Sequence, residues 1–231
     1  MMGSDMPLFS EARPSRRRLL DFSLGFLALL ALGDARAAAP APTAANREVM
    51  VVGDSLSAEY GLQRGQGWVA LLGQRLAERK PGWTVHNASI SGDTTAGGLA
   101  RLPALLRQEK PRVVVIELGG NDALRGLPLA DSRKNLDAMA AQAAAAGAKV
   151  LVAGIQVPPN YGRQYTADFA KMFVDVAAAH QAPLVPFILK GIADRPDEAD
   201  WFQADHIHPV AKAHPIILDN VWPVLEPLLK P

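Results

Sequence analysis

Short apolar runs rich in β-branched residues alternate along the chain with segments of helical periodicity, and this alternation constrains the fold more than any other feature. The runs at 48–52, 113–118 and 149–155 are mostly apolar, each with one charged residue at or near an end, which predicts strands buried on both faces. Residues 83–87 and 183–185 are weaker strand candidates. Strands that alternate with helices favour a parallel sheet covered by helices on both faces.

Helical periodicity occupies most of the sequence between these runs. The predicted helices are 68–79, 99–108, 131–146, 169–180 and 211–229, the last containing Pro215 and Pro223. A chain of 231 residues can bury a complete core as one domain. We therefore predict one α/β domain.

Composition excludes several kinds of site. The chain contains no cysteine, so it has no disulfide, cysteine nucleophile, thiolate metal site or lipidated cysteine. The formal net charge is +1, which gives no indication of a nucleic-acid or membrane-surface partner.

The N-terminus has the layout of a signal peptide. A basic cluster at 16–18 precedes an apolar run at 22–32, and Ala35-Arg36-Ala37 fits an A-x-A cleavage site. An apolar run of this length is too short to span a membrane, which takes roughly 20 residues. We predict a signal peptide over 1–37, cleaved after Sec or twin-arginine export, and a periplasmic or secreted mature protein. An uncleaved short anchor or a disordered leader is the alternative.

The mature chain then divides into two parts. Residues 38–46 are rich in alanine and proline without periodicity, which predicts a flexible lead-in. The α/β domain is predicted to cover 47–231.

A serine follows the first predicted strand, in Gly53-Asp54-Ser55. Functional groups of parallel sheets lie on loops beyond the carboxyl ends of the strands. A serine at such a strand-to-helix turn presents its hydroxyl to solvent, and its N–H can face a developing oxyanion. An isolated Gly-Asp-Ser is more often a turn or helix cap. For Asp54, a structural turn role is the favoured interpretation.

Two further loops supply candidate oxyanion donors. Gly92 follows the second predicted strand, where a glycine lets the backbone approach a ligand closely. Asn121 follows two glycines after the strand at 113–118 and can aim an amide donor. Taken singly, Gly92 is better explained as an ordinary turn glycine, and Asn121 is equally well explained as an Asx-turn residue.

The fourth element is Asp205-His206-Ile207-His208, far along the chain. An acid and a histidine three positions apart can meet on one side of a turn, where the acid holds the imidazole in the tautomer that accepts a proton. A metal pair formed by His206 and His208 with Asp205 is the alternative, although no further ligand cluster accompanies it.

The four elements occur together and in order, and on these residues the chain resembles the GDSL (SGNH) hydrolase family, whose four blocks centre on Ser, Gly, Asn and His. Within the family it resembles the exported thioesterase-I, lysophospholipase and arylesterase subgroup. Further matching segments are 102–106, 117–122, 124–126 and 158–162. The resemblance implies a three-layer α/β/α sandwich with a flavodoxin-like parallel sheet, and no cofactor.

The resemblance also implies roles for individual residues. The catalytic residues are predicted to be Ser55, Asp205 and His208, the oxyanion donors Ser55, Gly92 and Asn121, and the substrate-binding residues Leu124, Pro158, Asn160 and Tyr161. We expect a monomeric hydrolase without bound metal that cleaves small esters, thioesters or lysophospholipids through an acyl-enzyme. A carbohydrate acetyl-esterase is the nearest alternative, and a non-catalytic binding protein is the alternative of another class.

One residue departs from the subgroup's pattern. His206 stands where the subgroup usually has glycine. It leaves Asp205 and His208 in register, so we expect it to affect rate or substrate rather than mechanism.

Overall fold

A computed structural model describes residues 46–230, and in it five strands form one entirely parallel sheet in the order β2-β1-β3-β4-β5. The strands are β1 Glu48–Gly53, β2 Thr84–Asn87, β3 Val113–Glu117, β4 Lys149–Ala153 and β5 Leu184–Val185. All five lie where the apolar runs predict them. The predicted signal peptide, 1–37, and the predicted lead-in up to residue 45 lie outside the described residues.

Helices connect the strands. They are α1 Trp68–Arg79, α2 Thr95–Glu109, α3 Gly120–Leu124, α4 Leu129–Ala145, α5 Arg163–Ala179 and α6 His214–Leu225. Single 3₁₀ turns occupy Pro159–Tyr161, Glu198–Trp201, Ala211–Ala213 and Glu226–Leu228. Among residues 46–230, no helix is long and apolar enough to cross a membrane.

The helices form two layers on opposite faces of the sheet. Val85 and His86 are neighbours on β2, so their side chains point to opposite faces. Gly73 of α1 packs on the Val85 face, where an added Cβ would lie 3.2 Å from the valine. Glu109 of α2 lies 3.3 Å from His86 on the other face. Helix α6 packs against α1, while α4 packs against α2 and α5, which confirms the predicted three-layer α/β/α fold.

Helix boundaries differ most from the predictions where the first turn is small or polar. Helix α2 begins at Thr95 rather than Leu99, because the side chain of Thr94 caps it by accepting a bond from the N–H of Gly97 (3.2 Å). Helix α5 likewise begins at Arg163, before the first buried apolar residue, Phe169. The five-residue α3 was not predicted, since two glycines precede Asn121 and the helix is too short for a periodic signal.

The sheet brings the candidate loops together. Strands β1 and β3 are adjacent and in register from Val49 opposite Val113 to Gly53 opposite Glu117. The residues that follow them, Asp54 and Leu118, therefore leave the same edge of the sheet side by side. Strand β2 ends beside β1, so the loop that carries Gly92 starts at this edge as well.

Candidate active site

A continuous hydrogen-bonded series links Ser55, His208 and Asp205. His208 Nε2 lies 2.8 Å from the hydroxyl oxygen of Ser55, and His208 Nδ1 lies 2.7 Å from Asp205 Oδ2. Ser55 and His208 are 153 positions apart in sequence, so the fold alone brings them together. With Nδ1–H donating to the carboxylate, Nε2 is left to accept a proton from the serine.

The acid of this series is strongly held in its charged form. Its other oxygen, Asp205 Oδ1, accepts hydrogen bonds of 3.0 Å from the N–H groups of both Ile207 and His208. Burial acts to raise the pKa of Asp205, but the bonds from the His208 ring and the two N–H groups outweigh it and lower the pKa to about 2. Asp205 therefore remains an anion throughout the range in which a histidine titrates.

An aromatic ring, which sequence reasoning missed, supports the imidazole. The Tyr60 and His208 ring centroids are 4.2 Å apart with planes tilted by 37°. Tyr60 lies in the turn after the serine. Its position in the sequence relative to His208 gives no indication of the contact between the two rings. Its packing limits the orientations open to the imidazole.

The three predicted oxyanion donors lie on separate loops around the serine. Gly92 has φ of +80°, a backbone conformation that glycine adopts readily. The N–H groups of Ser55 and Gly92 donate to no other group within residues 46–230. Asn121 Nδ2 donates to Asp54 Oδ2 at 3.1 Å, which leaves one of its two N–H hydrogens for a ligand.

Two buried carboxyl groups lie beneath the serine turn. Asp54 is 2% exposed and Glu117 is fully buried. Glu117 Oε2 accepts bonds from the Ser57 hydroxyl (2.6 Å) and the Asp54 N–H (3.4 Å), while Glu117 Oε1 is buried without a partner in the described chain. Sequence reasoning missed Glu117 because it is the last residue of an otherwise apolar strand.

Burial controls how these two acids titrate. It raises the pKa of Asp54 to about 6, although bonds from the Leu56 N–H and the Asn121 amide oppose it. Burial raises the pKa of Glu117 well above its usual range, and the neighbouring Asp54 charge raises it further. Burial therefore favours a proton on Glu117, whereas Asp54, with a pKa of about 6, is mainly ionised at neutral pH.

A largely apolar cavity of about 860 Å³ opens beside the serine. Its walls include three of the predicted substrate-binding residues, namely Leu124, Pro158 and Tyr161. The fourth, Asn160, lies in the turn between Pro158 and Tyr161, where it is exposed and outside the cavity lining. Ile155, Val157, Phe187 and Leu189 supply further apolar wall, which sequence reasoning did not assign.

The other two histidines of this region have distinct environments. His206 is exposed, borders the cavity and has φ of 56°, a left-handed backbone conformation that glycine adopts more readily than histidine. His214 is buried, and burial lowers its pKa.

The metal alternative for this histidine cluster gains no support. Within the described part of the chain, the group whose ligand atoms lie close enough for a metal is Glu48, His86 and Glu109. These residues lie on β1, β2 and α2 and outside the cavity lining. The group therefore includes neither His206, His208 nor Asp205.

Comparison with known proteins gives a consistent result. The sequence profile of the GDSL-like lipase/acylhydrolase family matches residues 51–216. Esterase TesA of Pseudomonas aeruginosa is 56% identical over 80% of this chain and 91% of its own. Thioesterase 1/protease 1/lysophospholipase L1 of Escherichia coli K12 is 41% identical over 80% and 86%. The crystal structure of the esterase EstA from Pseudoalteromonas, inhibited by monoethylphosphonate, has a TM-score of 0.74 at 39% identity, covering 79% of this chain and 98% of EstA.

Proposed function

The chain belongs to the GDSL-like lipase/acylhydrolase family and is an ester hydrolase, and we propose that Ser55 is its nucleophile, His208 its general base and Asp205 the acid that orients the base. The observation that carries this proposal is the unbroken series from the Ser55 hydroxyl through both ring nitrogens of His208 to Asp205, with links of 2.8 and 2.7 Å. This is the geometry of an activated serine.

The reaction proceeds in two balanced half-reactions. His208 Nε2 takes the Ser55 proton as the serine oxygen bonds to the substrate carbonyl carbon. The bond from that carbon to the leaving oxygen or sulfur then breaks, and the leaving group receives the proton from His208. Water repeats the sequence on the acyl-enzyme, which releases the acid and restores Ser55.

Three donors stabilise the negative oxygen formed in each half-reaction. They are the N–H groups of Ser55 and Gly92 and the side-chain amide of Asn121. Losing one such donor costs about 10²–10³ in kcat in other hydrolases.

The cavity indicates the substrate class. Leu124, Pro158 and Tyr161 offer apolar surface on the walls, which suits medium acyl chains or aryl esters. The relatives are named as an esterase and as a thioesterase and lysophospholipase, so we propose carboxylic esters, thioesters and lysophospholipids as substrates. A contact from Asn160 would require substrate to extend beyond the cavity.

The N-terminal sequence supports a proposal about the site of action. The basic, apolar and A-x-A succession in residues 16–37 supports export and cleavage. We propose that the mature enzyme works in the periplasm as a monomer without a membrane anchor.

A chain-length series of p-nitrophenyl esters tests the function. The purified mature protein should hydrolyse them with a preference for chains longer than acetate, and Ser55→Ala should remove the activity while remaining folded. Preference for acetate would favour a carbohydrate acetyl-esterase, and no hydrolysis would contradict the proposal.

A further inference from the structure

We propose that Asp54 is a positioning residue whose carboxylate fixes the orientation of the Asn121 amide, so that an N–H rather than the carbonyl oxygen faces the developing oxyanion. The inference rests on the proposed function, because it requires Asn121 to act as an oxyanion donor. It gives Asp54 a second role, in addition to the structural turn role that its sequence context favours.

Both carboxylate oxygens of Asp54 are engaged in ways that fix its position. Oδ1 accepts the N–H of Leu56 at 3.0 Å, and Oδ2 accepts Asn121 Nδ2 at 3.1 Å. The side chain is buried and sits directly beside Ser55 in sequence. One bond thus anchors Asp54 to the serine turn, and the other connects that turn to α3, 67 positions away.

The chemistry of an amide makes the charge of Asp54 decisive. A carboxylate accepts hydrogen bonds and donates none, so it selects the amide orientation with Nδ2 towards it. The second hydrogen on Nδ2 is then directed away from Asp54 and is available to the substrate. A neutral partner with a donor would instead bond to Asn121 Oδ1, and the turned amide would present lone pairs to the oxyanion.

The surroundings of Asp54 keep the charge on this residue. Glu117 lies close enough to accept the Asp54 N–H, and its complete burial together with the neighbouring Asp54 charge raises the pKa of Glu117 well above its usual range. A proton is therefore favoured on Glu117, while the bonds that Asp54 accepts from the Leu56 N–H and the Asn121 amide favour its charged form. Protonated His208 also favours the charged form of Asp54, and His208 is protonated at the stage when the oxyanion exists.

A double-mutant cycle tests this connection. Asp54→Asn should lower kcat about 10²-fold with KM changed by less than about threefold, because a lost oxyanion donor acts on the transition state. Asn121→Ala should cause a loss of similar size. If Asp54 acts through Asn121, the double variant should be no slower than Asn121→Ala alone. The inference would be overturned if the kcat losses of the two single variants multiply in the double variant. A folded Asp54→Asn variant with unchanged kcat would also overturn it.

Asp122→Asn is a matched control. Asp122 is also a 2%-exposed acid and adjoins Asn121, but it holds the N–H and hydroxyl of Thr95 and the hydroxyl of Ser132. The folded control should lose thermal stability and less than about tenfold in kcat. If the Asp122→Asn control is as slow as Asp54→Asn, the loss of kcat reflects a general disturbance of the structure around Asn121, and the inference is overturned.

An NMR titration of the unmutated protein avoids dependence on the folding of a variant. The side-chain N–H₂ resonances of Asn121 should shift with the same midpoint as the Asp54 carboxyl carbon. Asn121 resonances that stay constant while Asp54 titrates would contradict the inference. The Ser55→Ala variant tests the nucleophile assignment separately from the role of Asp54. If this variant keeps its activity, the nucleophile assignment is contradicted, whatever the result of the double-mutant cycle.

Discussion

His214 Nδ1 accepts a hydrogen bond of 3.0 Å from the backbone N–H of Trp68 across 146 positions of sequence. Trp68 is the first residue of α1, and the preceding Gly67 offers no side-chain cap. A helix begins with N–H groups that lack partners inside the helix, so His214 serves as a cap supplied from α6. This contact ties the two helices of one layer together and requires an unprotonated Nδ1.

We therefore predict that His214→Ala destabilises the protein without removing its activity. An unsatisfied buried donor costs about 1–3 kcal/mol, which urea unfolding at pH 7.5 would detect. Since burial lowers the pKa of His214, the stability it adds is present above about pH 6.5, where a free histidine is neutral, and is lost as pH falls below that value. The variant should lack this decline. A folded variant that loses several orders of magnitude in kcat would contradict the structural role.

Glu117→Gln should preserve the fold and keep kcat at neutral pH within about threefold, because glutamine resembles the protonated acid and can still accept the Ser57 bond. The pKa of Glu117 is raised in the folded protein, so its contribution to stability is full at low pH and declines as pH rises above about 4.3, where the unfolded chain ionises. The variant should gain stability relative to the parent between pH 5 and pH 8. Unfolding curves of the parent and the variant at pH 5 and pH 8 measure this gain. If the two proteins differ in unfolding free energy by the same amount at both pH values, Glu117 is ionised in the folded protein.

The essential histidine should be His208. Folded His208→Ala should lose several orders of magnitude in kcat/KM, because a serine without its base is a poor nucleophile. His206→Gly should keep most activity, because glycine adopts the left-handed conformation found at position 206 without the steric cost of about 1 kcal/mol that a residue with a Cβ pays. The turn between Asp205 and His208 should therefore keep its shape. In the parent, kcat/KM should fall as pH drops below about 6, where the Asp54 carboxylate takes up a proton. Assays of Ala variants at 206, 208 and 214 on one ester decide the assignment, which fails if folded His208→Ala stays active.

Cleavage of the exported protein should occur after Ala37. Mass spectrometry of the periplasmic fraction should show a chain that begins at Ala38 or Ala39. Replacing Ala35 and Ala37 with bulky residues should block processing, because the cleavage site requires small side chains. A full-length product retained in the membrane by the unaltered sequence would contradict this prediction.

The sequence was sufficient to predict the sheet and the three-layer fold, because strands buried on both faces leave nearly continuous apolar runs such as 113–118. It was also sufficient to select Ser55, Asp205 and His208 as candidates, which the fold then places within hydrogen-bonding distance. Their roles remain a proposal.

What the sequence did not disclose are relationships that depend on three-dimensional contact. Nothing in the spacing of Tyr60 and His208 reveals that their rings meet, and Glu117 resembles an ordinary polar strand end until its burial is known. The Asp54 side chain illustrates the same limit. Its turn role follows from local sequence, whereas its bond to Asn121 arises only because β1 and β3 are neighbours.

The most direct test of the account is to identify the residue that an organophosphonate modifies. A phosphonate ester that reacts with activated serines should inactivate the enzyme and add one phosphonyl group, which peptide mass spectrometry should locate on Ser55. Because His208 activates that hydroxyl, His208→Ala should react far more slowly while still folded. Stoichiometric inactivation with the label on any residue other than Ser55 would contradict the central claim.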